Sequence, residues 1–200
     1  GAQEAPPAVI SIFLGDELGA LVESIIEGTE YIEAGNRTLQ IGVDSLPAIP
    51  LDNTDRNRTS PIAFTGNKFE FRMPGSSQSV SGPNIALNTI MAEELGQFAD
   101  ELEKAEDFQS ALHNLIRRTF TEHQRIIFNG NGYDEAWVEE AARRGLANHP
   151  TTPDAVSRFD DEKYVALFLK HRVFSREEIH SRRHIMLSNY AKVNHIEALT

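Results

Sequence analysis

DRNRTSPIAFTGNKFEFRMPGSSQSVSGPNIALNTIMAEE, residues 55–94, joins an arginine-bearing loop, an alternating charged strand and the start of a long amphipathic helix. In Lys68-Phe69-Glu70-Phe71-Arg72-Met73 the two-residue period of a strand sends Phe69, Phe71 and Met73 to one face and Lys68, Glu70 and Arg72 to the other. One carboxylate is thereby set between two cations. Just upstream Arg56 and Arg58 flank Asn57, and an extended backbone there aims both guanidinium groups the same way. Such a cluster suits phosphate and a divalent metal. The ordinary reading of Lys68, Glu70 and Arg72 is a solvated sheet face whose ion pairs contribute about 0–1 kcal/mol each. On the strand alone that reading prevails; the neighbours shift it. A polar loop holds Arg56 and Arg58, Gly75-Ser76-Ser77 breaks the chain beyond Met73, and the opposite strand face is apolar. Functional loops are mounted on rigid elements in this way.

Outward from that stretch the chain alternates between turns and periodic segments. Pro6-Pro7 introduces the apolar run Ala8 to Leu14, either a buried strand or the first turns of a helix, and periodicity does not decide between them. Asp16 to Glu27 predicts a helix with Leu18, Leu21, Val22, Ile25 and Ile26 on one face and Gly28 as its stop. Thr38 to Val43 alternates like a short strand, and Pro47, Pro50 and the polar run Asp52 to Asn57 form a loop. Pro61 to Thr65 and Asn67 to Met73 read as two strands of a tight hairpin joined near Gly66. From Pro83 the period becomes helical, with Leu87, Met91, Leu95, Phe98 and Leu102 as an expected core stripe. A second helix is predicted over Phe108 to Phe128, burying Leu112, Leu115, Ile116, Phe120 and Ile127, and a third over Asp134 to Arg144 closed by Gly145. Asp160 to Arg172 gives a fourth, and the capping box of Ser175 and Glu178 opens a fifth. The fold class is α+β: antiparallel strands with helices, then a mainly helical segment.

Composition narrows the partners. At 200 residues with 40% hydrophobic side chains the chain can build the core of one large domain or two small ones. A formal net charge of −11 opposes polyanion binding, so no nucleic-acid partner is expected. Without cysteine there is no disulfide framework, zinc ribbon or thiol catalysis, which fits a reducing, cytoplasmic setting. No apolar run is long enough to span a bilayer, and the opening residues lack a basic and an apolar signal region, so no membrane partner is expected. Asn36-Arg37-Thr38 and Asn57-Arg58-Thr59 are therefore chance glycosylation sequons. The chain opens without methionine and stops at Glu197 to Thr200 inside a helical pattern with no stop signal, so it is expected to be a fragment.

Other motifs carry less. Glu4, in a segment shaped by Gly1, Pro6 and Pro7, reads by itself as an exposed loop acid. Thr65-Gly66-Asn67-Lys68 lacks the glycine spacing and following helix of a phosphate loop. His180 and His184 stand one helical turn apart without a glutamate between them in the zincin position, and read as surface residues. Trp137 reads as a packing anchor, and Glu93-Glu94 with the Asp100 to Asp107 acids as the wet side of helices.

Taken in order, Gly-Ala-Gln-Glu4-Ala-Pro-Pro, Asn57-Arg58-Thr59-Ser60-Pro61, Asn67-Lys68-Phe69-Glu70-Phe71-Arg72 and Gly82-Pro83-Asn84 with its helix resemble the glutamine synthetases, specifically the long type III class. The resemblance extends through Asn129-Gly130-Asn131-Gly132-Tyr133, Arg144-Gly145-Leu146-Ala147-Asn148 and Asn194 to Thr200. It implies ATP-dependent ligation of ammonia to L-glutamate through γ-glutamyl phosphate, with two divalent cations, Mg2+ or Mn2+, and several arginines stabilising the moving phosphoryl group. It implies that Glu70 ligates the nucleotide-bound metal, Arg58 grips the transferred phosphoryl group and Arg72 contacts the glutamate carboxylate or acyl phosphate. Glu4 resembles the flap glutamate that shields the intermediate and draws a proton from ammonium, which has no lone pair with which to attack. Lys68 stands where commoner classes carry an arginine near the nucleotide; between Thr59 and Asn67 no arginine occurs, although those classes have one. Residues 1–104 are then expected to be part of the catalytic domain and 105–200 a truncated helical C-terminal segment. The family's other metal glutamates, its metal-ligating histidine and its N-terminal domain belong upstream, and its members assemble as homo-oligomeric stacked rings. Two alternatives remain: a γ-glutamyl amine ligase of the same superfamily, and a noncatalytic assembly homologue.

Overall fold

The computed structural model describes residues 9–29, 38–39, 49–50, 60–72 and 79–194. The apolar run at the start of this region is extended: β1 (Ile12–Phe13) is a short strand, and α1 (Gly15–Glu27) follows, ending at Gly28 as its amphipathic pattern predicts. Strands β2 (Thr38–Leu39) and β3 (Ile49–Pro50) pair antiparallel. The expected hairpin forms from β4 (Ile62–Phe64) and β5 (Phe69–Phe71), with Thr65 N–H donating to the Lys68 carbonyl at 2.8 Å across the turn. Gly66 takes φ +90° there, a conformation open to glycine and strained for other residues. The helices are α2 (Ser81–Leu102), α3 (Phe108–His123), α4 (Glu135–Arg143), α5 (Thr152–Val156), α6 (Glu162–Lys170) and α7 (Arg176–Asn189). The α+β class holds. The larger sheet, however, is mixed and not purely antiparallel: its order is β1-β4-β5, with β1 parallel to β4 and β4 antiparallel to β5. Among the described residues no helix is long and apolar enough to cross a membrane.

The chain divides into two compact units. The sheet unit takes the described residues up to 72 and returns for 114–147. Its core joins Val9, Trp137 and Ala141, with Phe128 and Leu146 packed against them. Trp137 stacks on Phe128 with ring centroids 3.8 Å apart and planes within 7°, and the Arg144 guanidinium lies 5.3 Å from the indole centroid. The anchor role expected of Trp137 is therefore its role here. Gly130 must stay small, because a Cβ would meet the Phe128 ring at 2.5 Å and the tryptophan pins that ring from the other side. The helix expected over Phe108 to Phe128 stops early. At His123 it tightens into a 3₁₀ turn, Gln124–Ile126, and Ile127 runs extended to bridge Ile12 in parallel. The Phe128 N–H donates to the Ile12 carbonyl at 2.8 Å.

The helical unit takes described residues 79–113 and 148–194. Val165 and Phe168 of α6 and Ile179 of α7 form its buried centre, covered by Ile85, Phe159, Val173 and Phe174. Ser175 caps α7 in the reciprocal box expected of it, its Oγ accepting from Glu178 N–H while the Glu178 carboxylate accepts from Ser175 N–H. The stripe expected to make α2 a core helix is a correction: Met91 and Leu95 are exposed, and the covered side carries Ile85 and Thr89. Thr89 is tolerated because its hydroxyl donates to the Ile85 carbonyl at 2.7 Å.

Glu93 is a second correction. It is not on a wet face; its side chain is largely covered and accepts from Lys170 Nζ at 2.6 Å and Gln97 Nε2 at 2.8 Å, with His171 Nε2 at 2.7 Å. The Lys170 hydrogen bond, then those of His171 and Gln97, lower its pKa to about 2. A carboxyl depressed in the folded state contributes stability above its ordinary pKa of 4.5 and loses that contribution as pH falls toward 2. Acid titration of the protein, followed by circular dichroism, should therefore show stability declining across that window, with a shallower decline in Glu93→Gln. An identical acid limb in the two proteins would remove this clamp from the account.

Candidate functional site

The hairpin turns the charged strand in an unexpected direction. Residues directly opposite each other in a sheet project to the same side. The register Phe13↔Ala63↔Glu70 therefore puts Glu70 in one cross-sheet row with two buried side chains, and Ile12↔Ile62↔Phe71 forms the neighbouring row on the opposite face. Lys68 and Arg72 flank Glu70 at the same strand parity. The phenylalanines face outward, Phe69 at 55% exposure, while the side chains of Glu70 and Arg72 are each only 32% exposed. An ordinary solvated strand has the reverse arrangement. Glu70 and Arg72 occupy the side of the sheet that holds the buried Phe13 and Ala63, with Lys68 exposed at its margin.

Within that row the carboxylate is engaged on both oxygens. Arg72 donates through Nη2 at 2.6 Å and Nε at 3.0 Å to Glu70 Oε2, and Lys68 Nζ lies 3.4 Å from Oε1. The Arg72 hydrogen bond, followed by that from Lys68, holds the Glu70 carboxyl below the ordinary carboxylate range. Glu70 is thus an ionised hard-oxygen donor at neutral pH, the donor chemistry that Mg2+ or Mn2+ requires. It is a single donor: among the described residues no group of three or more His, Cys, Asp or Glu side chains could hold a metal. Arg72 is fixed through its backbone as well, its N–H donating to the Pro61 carbonyl at 2.7 Å. Of the residues singled out in the sequence, Lys68, Glu70 and Arg72 come together; Glu4, Arg56 and Arg58 lie outside the described residues.

Sequence reasoning passed over the polar pair under this hairpin, Ser11 and Ser60, each 1% exposed and joined by a 2.7 Å hydrogen bond between their hydroxyls. Its one legible signal was a serine set inside the apolar run Ile10-Ser11-Ile12. His180 lies on the surface, as expected, with Nδ1 3.1 Å from Asp160 Oδ2. A cleft of about 580 Å³ runs beside α1, away from the charged strand, and Arg125 and Arg144 line it. Both arginines serve the backbone: Arg125 donates to the carbonyls of Arg144 and Gly145, and Arg144 to that of Ile127 and to Glu140.

Residues 111–200 match the glutamine synthetase C-terminal domain, and three curated relatives named glutamine synthetases align over 99–100% of the chain. The chain is 47% identical to the type-3 glutamine synthetase of Dictyostelium discoideum, aligned over 99% of this chain and 27% of that protein. It is 40% identical to a glutamine synthetase of Butyrivibrio fibrisolvens, over 100% of this chain and 29% of that protein. The glutamine synthetase of Bacteroides fragilis (strain YCH46) is 38% identical, over 99% and 28%. The chain spans 27–29% of the length of these relatives.

Proposed function

We propose that the chain supplies part of the active site of an ATP-dependent glutamate–ammonia ligase. The observation that carries this reading is the inverted hairpin: an ionised carboxylate clamped between a guanidinium and an ammonium on the core side of a sheet, in a chain whose relatives are named glutamine synthetases. Glu70 would be one ligand of a Mg2+ or Mn2+ ion, which when bound neutralises phosphate charge as a Lewis acid. Arg72, and Arg58 by its motif position, would hold phosphoryl or carboxylate oxygens with forked donors, and Lys68 would meet the nucleotide phosphates as a point charge. The γ-carboxylate of L-glutamate takes the terminal phosphoryl group of ATP and releases ADP. Ammonia then displaces phosphate from γ-glutamyl phosphate, with Glu4 as the base that takes the proton from ammonium. In the same reading residues 1–104 belong to the catalytic domain, 105–200 form a helical C-terminal segment, and the protein works in the cytoplasm as homo-oligomeric stacked rings.

A direct assay tests this. The full-length protein, given L-glutamate, ATP and Mg2+ or Mn2+, should release ADP and form glutamine with ammonia in preference to methylamine or ethylamine. Preference for an alkylamine would make it a γ-glutamyl amine ligase, and no ADP release with any amine would make it a noncatalytic relative. Residues 1–200 alone should show no synthetase activity, because Glu70 is one donor where a hard divalent cation takes about six.

A further inference from the structure

The buried hydroxyls of Ser11 and Ser60 link two backbone carbonyls, those of Val9 and Phe128. Ser60 Oγ lies 3.3 Å from the Phe128 carbonyl oxygen, which has no proton to give, so Ser60 donates there. Ser60 Oγ is then free to accept, and Ser11 donates to it at 2.7 Å. The Val9 carbonyl, 3.2 Å from Ser11 Oγ, is the longer of that hydroxyl's two acceptors. The link stands where the strand ladder is weakest. Residue 61 is proline and has no N–H, so the entry of β4 cannot return a hydrogen bond to the main chain of Arg72 opposite it. Its polar anchors are the Ser60 hydroxyl on one side and the Pro61 carbonyl, which receives the Arg72 N–H, on the other. One residue further on, the Ile62 N–H donates to the Ser11 carbonyl at 3.3 Å. A contiguous path thus runs from the carbonyl of Phe128, the residue whose ring stacks on Trp137, through Ser60 and Pro61 to the main chain of Arg72.

We propose that Ser60 is a positioning residue for Arg72 and Glu70: its buried hydroxyl, fed by Ser11 and seated on the Phe128 carbonyl, sets where the guanidinium and carboxylate stand at the sheet edge. The inference rests on the ligase reading of that edge. It also gives the helical segment a part in the chemistry, since the seat of the link comes from the strand-like end of the α3–α4 connection. Ser60 touches neither substrate nor metal; it acts through the backbone of β4.

The test uses the full-length protein and four variants, Ser60→Ala, Ser11→Ala, Arg72→Lys and Glu70→Ala. Ser60→Ala should lower kcat by about tenfold and raise the Mg2+ activation constant by a similar factor, as small displacements of catalytic groups do. Ser11→Ala leaves Ser60 on its carbonyl and should move the same two quantities about threefold; if Ser60→Ala does not fold, this variant decides. Combined with Arg72→Lys, either serine variant should cost less than twofold more, because the group it positions is already altered. A lowered melting temperature with kcat and Mg2+ activation within twofold of wild type would overturn the role, and so would effects that multiply independently with Arg72→Lys. Glu70→Ala separates the two levels. Turnover retained in Glu70→Ala overturns the ligase reading of the edge, whereas turnover lost there but intact in both serine variants overturns only the positioning role.

Discussion

Replacing Glu70 with alanine in the full-length protein is expected to lower kcat/KM for glutamine formation by about 10²–10³-fold, the scale of several kcal/mol of lost transition-state charge stabilisation. Two losses combine in that number. The hard-oxygen donor goes, and Lys68 and Arg72 are left without the anion that both now face. Glu70→Gln separates the effects, since it keeps the shape and one acceptor oxygen while removing the charge and turning the second oxygen into an NH2 donor. If Glu70 ligates a cation, both variants raise the Mg2+ activation constant, and excess metal restores part of the rate in Glu70→Gln. If the carboxylate serves only as an ion-pair partner, Glu70→Gln loses some thermal stability and keeps its turnover. Unchanged turnover in both variants would end the proposed metal role.

The second large effect is on stability. Trp137→Ala should destabilise the protein by about 3–5 kcal/mol, the range for emptying a buried aromatic site. For a protein of this size that corresponds to a melting temperature lower by roughly 6–20 °C. The side chain is 3% exposed, stacks on Phe128, packs beside Val9 and Ala141 and lies under the Arg144 guanidinium. Its removal also frees the Phe128 ring, and residue 128 is where the backbone joins β1 and seats Ser60. Trp137→Phe preserves a stacked ring and should recover most of the loss. A melting curve of Trp137→Ala that overlays the wild type would show that this cluster does not hold the sheet unit together.

What could be read in advance was whatever local chemistry determines. The Gly66 turn, the stop at Gly28, the Ser175 cap and the close of α4 at Gly145 each depend on a few neighbouring residues, and each is found in place. The parallel pairing of β1 with β4 is not local: Ile12 meets Ile62 across a long excursion of the chain, and no pattern inside either strand encodes its partner. Helical periodicity identified the residues sharing a face of α2 but not which face would be covered, and Thr89, not Met91, lies inward. Glu93 read as a surface acid because its cationic partners, Lys170 and His171, belong to a distant part of the sequence. The site follows the same division. Strand alternation was enough to place Glu70 between Lys68 and Arg72, yet it could not say that this face, and not the phenylalanine face, would turn toward the core. Ser60 was silent because a lone serine acquires meaning only once Ser11 and the Phe128 carbonyl are beside it.

The return of the chain to the sheet unit after residue 113 imposes an order of events during synthesis. Leu14 N–H donates to Asn129 Oδ1, 115 positions later, so at about 5–20 residues per second the ribosome delivers this donor roughly 6–23 s before its acceptor exists. For that interval Val9, whose cluster partners Trp137 and Ala141 come later still, is nascent chain in search of company, and a chaperone that shields apolar segments has its longest opportunity there.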